Sequence, residues 1–188
     1  MRVKEFEREI AALTPFGATA LDQRTRSLRE ANMLPVGAPG PNAPHLDIRH
    51  AASILVSLAA ETARDAARTV MTYECLVRQG RGGGQKLFME ALWNILEDPD
   101  NRQDIAEVRI NCSWPEALIV KKSGKRIVYL PRKDTAEKFC ASVDLVLRAS
   151  ALTMLARALK DSEAERAKAA KPSRKPGRPG APEARLSV

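Results

Sequence analysis

Residues 18–35 read ATALDQRTRSLREANMLP, and how the N-terminal third folds turns on this stretch. Leu21, Leu28 and Leu34 recur at helical spacing, which predicts a helix from about Ala18 to Leu34. Pro35 ends it, because proline cannot continue the backbone ladder. The polar side of this helix is basic, with Arg24, Arg26 and Arg29 close together and Asp22 and Gln23 at the turn before. Arg24 and Arg26 stand about 160° apart on the helix, whereas Arg26 and Arg29 at i,i+3 share a broad face. A basic helix of about 16 residues fits a major groove about 12 Å wide, where arginine pairs bidentately with guanine and glutamine with adenine. The remaining cations would hold phosphates. Gln23, Arg24, Arg26 and Arg29 are therefore candidate DNA contacts. The alternative is a solvated helix face on which the arginines pair with Asp22 and Glu30.

The flanks extend the pattern. Upstream, Val3, Phe6, Ile10 and Leu13 recur at three- and four-residue steps and mark an amphipathic helix, broken by Thr14-Pro15-Phe16-Gly17. Downstream, PVGAPGPNAP over residues 35–44 is too rich in proline and glycine for helix or sheet interior, so it reads as a loop or a wing. Asp47 then has the chemistry of an N-cap, and Ile48, Ala51, Ala52, Leu55 and Leu58 form the apolar stripe of a third helix.

The order of short helix, tight turn, basic helix, wing and helix, with TRSLREANMLP at its centre, resembles the winged helix-turn-helix domain of the MerR-type family. Thr25, Arg26, Glu30, Met33, Leu34 and Pro35 match the family's pattern. Asn32 stands where the family usually has glycine, and asparagine tolerates the left-handed conformation needed there. Ser27 and Leu28 replace an aromatic pair, and the wing segment GPNAPHL carries no arginine. The resemblance covers about a third of the chain. It implies a DNA-binding domain over residues 1–60 with double-stranded DNA as partner, Asn42 and His45 being the wing's candidate contacts.

The rest of the body reads as α+β and mostly helical. Helices are expected over Ala63–Val77, ending in GRGGG, and over Lys86–Leu96, stopped by Asp98-Pro99-Asp100. EVRIN, ALIV and RIVYL, the last two joined by a turn at Lys122-Ser123-Gly124-Lys125, predict a small antiparallel sheet of two or three strands. Phe139, Val143, Val146, Leu147, Leu152 and Leu155 predict a long helix over 135–160, the best candidate for a dimer interface. Residues 61–160 would then be a module for oligomerisation or partner contact, and 161–188 a disordered basic tail.

The charge is concentrated in that tail. Residues 166–188 set seven basic residues against Glu183, a net of +6 out of the chain's +8, so the body holds only +2. Its Ser173-Arg174-Lys175-Pro176-Gly177-Arg178-Pro179-Gly180 resembles an AT-hook, in which a thin Gly-Arg-Pro core lies in an A·T minor groove. Arg174, Lys175 and Arg178 are its candidate contacts. A generic basic tail that adds salt-dependent affinity is the alternative.

Other features argue against competing classes. Cys75, Cys112 and Cys140 are odd in number and widely spaced, suiting buried, reduced thiols better than disulfides or zinc. Gly80 to Lys86 lacks the Gly-Lys-Ser/Thr that a phosphate-binding loop needs. His45 and His50 have no ligand partner at metal spacing, and Trp114-Pro115 reads as an anchor between sheet and core. No catalytic arrangement, cofactor, metal, signal peptide or membrane span is expected, and a cytoplasmic, nucleoid-associated location follows. A sequence-specific regulator of transcription, favoured as a homodimer, is the first expectation. A DNA-packaging or recombination accessory factor, such as a terminase small subunit or an excisionase-like protein, and a protein-interaction module are the alternatives.

Overall fold

The computed structural model describes residues 1–37, 43–80, 86–132 and 143–169. The N-terminal helix α1 (Val3–Leu13) buries Val3, Phe6 and Ile10, the stripe its spacing predicts. At its start the Glu5 carboxylate accepts the Arg2 amide at 2.7 Å, occupying a donor that the first turn leaves open. Helix α2 (Ala18–Glu30) stops four residues short of the expected Leu34. The reason is Asn32, which takes a φ of 57°. That left-handed residue lets the Met33 amide reach back to the Leu28 carbonyl at 2.9 Å and the Asn32 amide reach Arg29 at 3.0 Å. The two bonds make a Schellman-type helix end, which brings Met33 against the core.

Helix α3 (Ile48–Ser57) begins where expected, with the Asp47 carboxylate accepting the His50 amide at 2.8 Å. Ala51 through Ser57 are all buried, so α3 is the central helix and not a one-sided one. Its small and apolar side chains allow neighbours on every side. Against it pack α2, α4 (Ala66–Glu74) and α5 (Phe88–Glu97), and beside α5 lies the short α6 (Pro99–Gln103), whose Pro99 sits in the first turn where no amide is needed.

The sheet is larger than expected. Strands β1 (Val77–Arg78), β2 (Ile105–Asn111), β3 (Ala117–Lys121), β4 (Arg126–Leu130) and β5 (Asp144–Arg148) form one antiparallel sheet in the order β1-β4-β3-β2-β5. Gly124, at φ 82°, makes the β3–β4 turn the sequence predicts. Val108, Ile110, Ala117, Ile119, Tyr129 and Leu147 turn one face of the sheet into the core. The opposite face carries Glu107, Arg109, Leu118 and Val146 in register.

The C-terminal helix α7 (Ala149–Ala169) corrects the expected helix over 135–160 at both ends. Residues 144–148 are strand because Leu145 and Leu147 pair into the core beside β2, a tertiary gain that outweighs their helical spacing. Residues 161–169, expected to be disordered, are helical; their alanine, glutamate, arginine and lysine are strong helix formers. The AT-hook-like residues Arg174, Lys175 and Arg178 lie outside the described residues, as does the wing residue Asn42.

Helix α7 packs on α1, α5, α6, β2 and β5. One cluster of buried apolar side chains therefore runs from Met1 to Leu159, and the boundary expected at residue 60 falls inside a shared core. The part of the expected wing that is described contains no strand pair beyond a single bridge between Arg2 and His45. Cys75 is exposed where α4 ends and the chain turns at the surface, and Cys112 is half-buried, so the thiols are not the buried set expected. Cys140 lies outside the described residues. Among the described residues no helix is long and apolar enough to cross a membrane.

Phe88 joins the layers, its ring 6.2 Å from that of Tyr73 on α4 and 5.5 Å from that of Tyr129 on β4. The Tyr73 hydroxyl donates to the Asn111 and Trp114 carbonyls, which pins the end of β2 to α4 through the backbone. Burial, and secondarily the nearby Cys112, pushes the Tyr73 phenol well above its ordinary value of 10.0. The neutral phenol is thus favoured in the fold. Its contribution is fully present below pH 10 and is lost progressively as the pH rises toward the folded value. Denaturant titrations should show stability falling above about pH 10, and Tyr73→Phe should flatten that fall while costing about 1–3 kcal/mol at pH 7.

Candidate nucleic-acid interface

Helix α2 divides its arginines between inside and outside. Leu21, Arg24, Thr25 and Leu28 face inward, while Gln23, Arg26 and Glu30 form an exposed stripe. Arg24 is 8% exposed. Its Nε donates to the Ser57 carbonyl at 3.2 Å and its Nη2 to the Ala60 carbonyl at 3.0 Å, and the guanidinium lies 5.0 Å from the Phe16 ring centre. These carbonyls belong to the end of α3 and the turn that follows it, where backbone acceptors lack helical partners. Burial lowers the Arg24 pKa. The expectation that Arg24 contacts DNA is thereby corrected: its donors are spent on the backbone. Arg102 is used in the same way, its Nη1 serving the Ile95 and Leu96 carbonyls at 3.2 and 2.8 Å.

The outward residues meet α1. The buried Glu7 carboxylate accepts the Thr25 hydroxyl at 2.6 Å and the Lys4 ammonium at 2.8 Å. Lys4 also bonds Asp22, and Asp22 lies 3.6 Å from Arg26. This chain of charges fixes α2 against α1. The hydrogen bond from Lys4 holds the Asp22 carboxyl below its ordinary value. On Lys4, burial opposes the charge, but the bonds to Asp22 and Glu7 outweigh it and raise its pKa.

Beside this network a cleft of about 490 Å³ is lined by Arg2, Lys4, Arg8 and Arg29, with Glu5 the one acid and with Val3, Pro35, Val36, Gly37, Ala43 and Pro44 completing its walls. The side chains of Arg8 and Arg29 make no ion pair or hydrogen bond among the described residues, although the Arg29 charge helps to lower the Asp22 carboxyl. The cleft is thus a concentration of positive charge that α1 and α2 build together, with the first and last residues of the Pro/Gly-rich loop as its rim. An anion with several oxygens, such as a phosphodiester, matches those forked donors.

Five expected contacts can thus be placed. Gln23 and Arg26 are exposed on α2, Arg29 enters the cleft, and Arg24 is buried. His45 is half-buried beside the N-terminal amine, its Nδ1 3.4 Å away, and burial and that positive charge lower its pKa. It is mainly neutral at pH 7 and brings no charge to a phosphate. Lys4 and Arg8 are cleft residues that the sequence reading does not single out; their signal in the chain is an i,i+4 cationic pair on the polar side of the first helix. Their convergence with Arg29 depends on how the two helices pack.

Comparison of the chain with protein-family models, with curated proteins and with solved structures returned no match in any of the three.

Proposed function

We propose that this protein binds double-stranded DNA, that α2 presents Gln23 and Arg26 to base edges, and that the cleft cations hold the neighbouring phosphates. The carrying observation is the convergence of Arg8 and Arg29, whose side chains form no ion pair or hydrogen bond among the described residues, with Arg2 and Lys4 at one cleft. Surface arginines on a near-neutral body usually form ion pairs with nearby acids; the two that form none here are suited to an external polyanion. Fixing α2 against α1 through Glu7, Lys4 and Asp22 supports the reading too, since base readout needs a helix held in one orientation. The basic residues beyond 169 would add affinity for any duplex. In this reading the protein is a sequence-specific regulator of transcription built on a winged helix-turn-helix-like N-terminus.

Selection of bound duplexes from a random pool tests it. The expected result is enrichment of a short motif whose identity changes in the Gln23→Ala or Arg26→Ala variant, each missing base interaction costing about 1–3 kcal/mol. Retention of the pool with no enriched motif would reduce the activity to non-specific polyanion binding.

A further inference from the structure

Strand β5 is the last strand of the sheet beside β2 among the described residues, and its sequence is complementary to itself. The Cys112 amide donates to the Val143 carbonyl at 2.7 Å, which fixes the alternation of the β2–β5 ladder. With Ile110 opposite Leu145 and Val108 opposite Leu147, residues 143, 145 and 147 direct their backbone groups at β2. Asp144, Val146 and Arg148 direct their amides away from β2, the Arg148 carbonyl standing immediately before the first residue of α7. Val146 is 39% exposed, and Asp144 and Arg148 are exposed as well. The other edge differs: β1 is two residues long, and Val77 is bridged to Leu87.

We infer that β5 pairs antiparallel with β5 of a second copy of this chain, about a two-fold axis at Val146. The register follows from the sequence Asp144-Leu145-Val146-Leu147-Arg148. Centred on Val146, it sets Asp144 opposite Arg148 of the partner subunit at both ends and Val146 opposite the partner's Val146. These are the outward-directed residues, so the central pair exchanges both of its backbone bonds and each outer pair gains the bond from the Arg148 amide to the Asp144 carbonyl, about four in all. On the core face Leu145 meets the partner's Leu147, which extends both apolar layers across the axis. A parallel arrangement would instead bring like charges together, at a cost. Edge strands in stable proteins are commonly blocked by charges. Here the two charges have opposite sign and a spacing that admits one partner, an identical strand, in one direction. The interface is isologous. It is short, so association is reversible and depends on concentration. The inference stands whether or not the protein binds DNA.

The test is the mass of the full chain in solution by sedimentation, measured from low to high micromolar concentration. The monomer is 20.6 kDa, and a shift towards twice that mass with rising concentration is expected. Arg148→Asp and Asp144→Arg, each made alone, place like charges opposite each other twice and should shift the midpoint of dimerisation at least tenfold to higher concentration. The double variant Asp144→Arg/Arg148→Asp restores opposite charges across the axis and should regain most of the wild-type association. Circular dichroism and thermal unfolding of each single variant separate a failure to pair from a failure to fold, and rescue by the double variant does so independently. A wild-type chain that stays monomeric throughout would overturn the inference. So would single variants that dimerise as well as wild type, or a double variant that associates no better than either single one.

Discussion

Arg24→Ala should destabilise the fold by about 2–4 kcal/mol and leave the choice of DNA sequence unchanged. The substitution removes the Arg24 bonds to the Ser57 and Ala60 carbonyls, leaving Ser57 only the Ala60 amide, and empties the space against Phe16. For a domain of this size the loss corresponds to a fall of roughly 4–16 °C in Tm. Arg24→Lys should recover only part of it, because one ammonium on a flexible stem cannot replace a planar fork that spans two acceptors. Thermal unfolding, combined with duplex binding measured well below the variant's Tm, checks both halves. A variant of wild-type Tm that had lost its sequence preference would mean that Arg24 leaves the core to read bases.

The opposite pattern is expected for Arg8→Glu/Arg29→Glu. Both side chains lie at the surface of the cleft and hold no structural partner among the described residues, so Tm should move little. Each reversal frees a phosphate and adds repulsion. Affinity for duplex DNA at low salt should fall by at least about a hundredfold, and the log–log salt dependence should flatten by roughly 0.9 for each phosphate no longer neutralised. The ranking of target sequences should persist in the residual binding, because Gln23 and Arg26 are untouched. Anisotropy titrations at several salt concentrations separate these effects. Unchanged affinity would place the phosphate-binding groups elsewhere.

Arg24 also shows which parts of the fold could be read directly from the chain. Its position, about 160° from Arg26, puts it between Leu21 and Leu28 on the apolar stripe, so the helical period alone separates it from the exposed arginines. What the period does not reveal is that the end of α3 brings the Ser57 and Ala60 carbonyls to that spot. The stripes of α1 and α3, the Asp47 cap, the Gly124 turn and the left-handed Asn32 were legible because each depends on local chemistry. Strand β5 was not. Val143, Val146 and Leu147 fit a helical spacing as well as an alternating one, and only the ladder with β2 decides between them. The extension of α7 past residue 160 was hidden by a charged composition that suits a solvated helix as well as a tail. The cleft was half legible: Lys4, Arg8 and Arg29 are visible as cations, but nothing local indicates that two helices bring them together.

The central claim is that the body of the protein, and not only its basic C-terminal residues, binds DNA. It is tested most directly by the salt dependence of duplex affinity in the full-length chain with Lys171, Arg174, Lys175, Arg178 and Arg185 replaced by glutamine. This variant should bind more weakly than wild type and with a flatter slope. It should nevertheless keep salt-dependent binding worth about 0.9 log–log units per phosphate held by the cleft, and adding Arg8→Glu/Arg29→Glu should abolish that remainder. No detectable binding by the glutamine variant at about 50 mM salt would contradict the account.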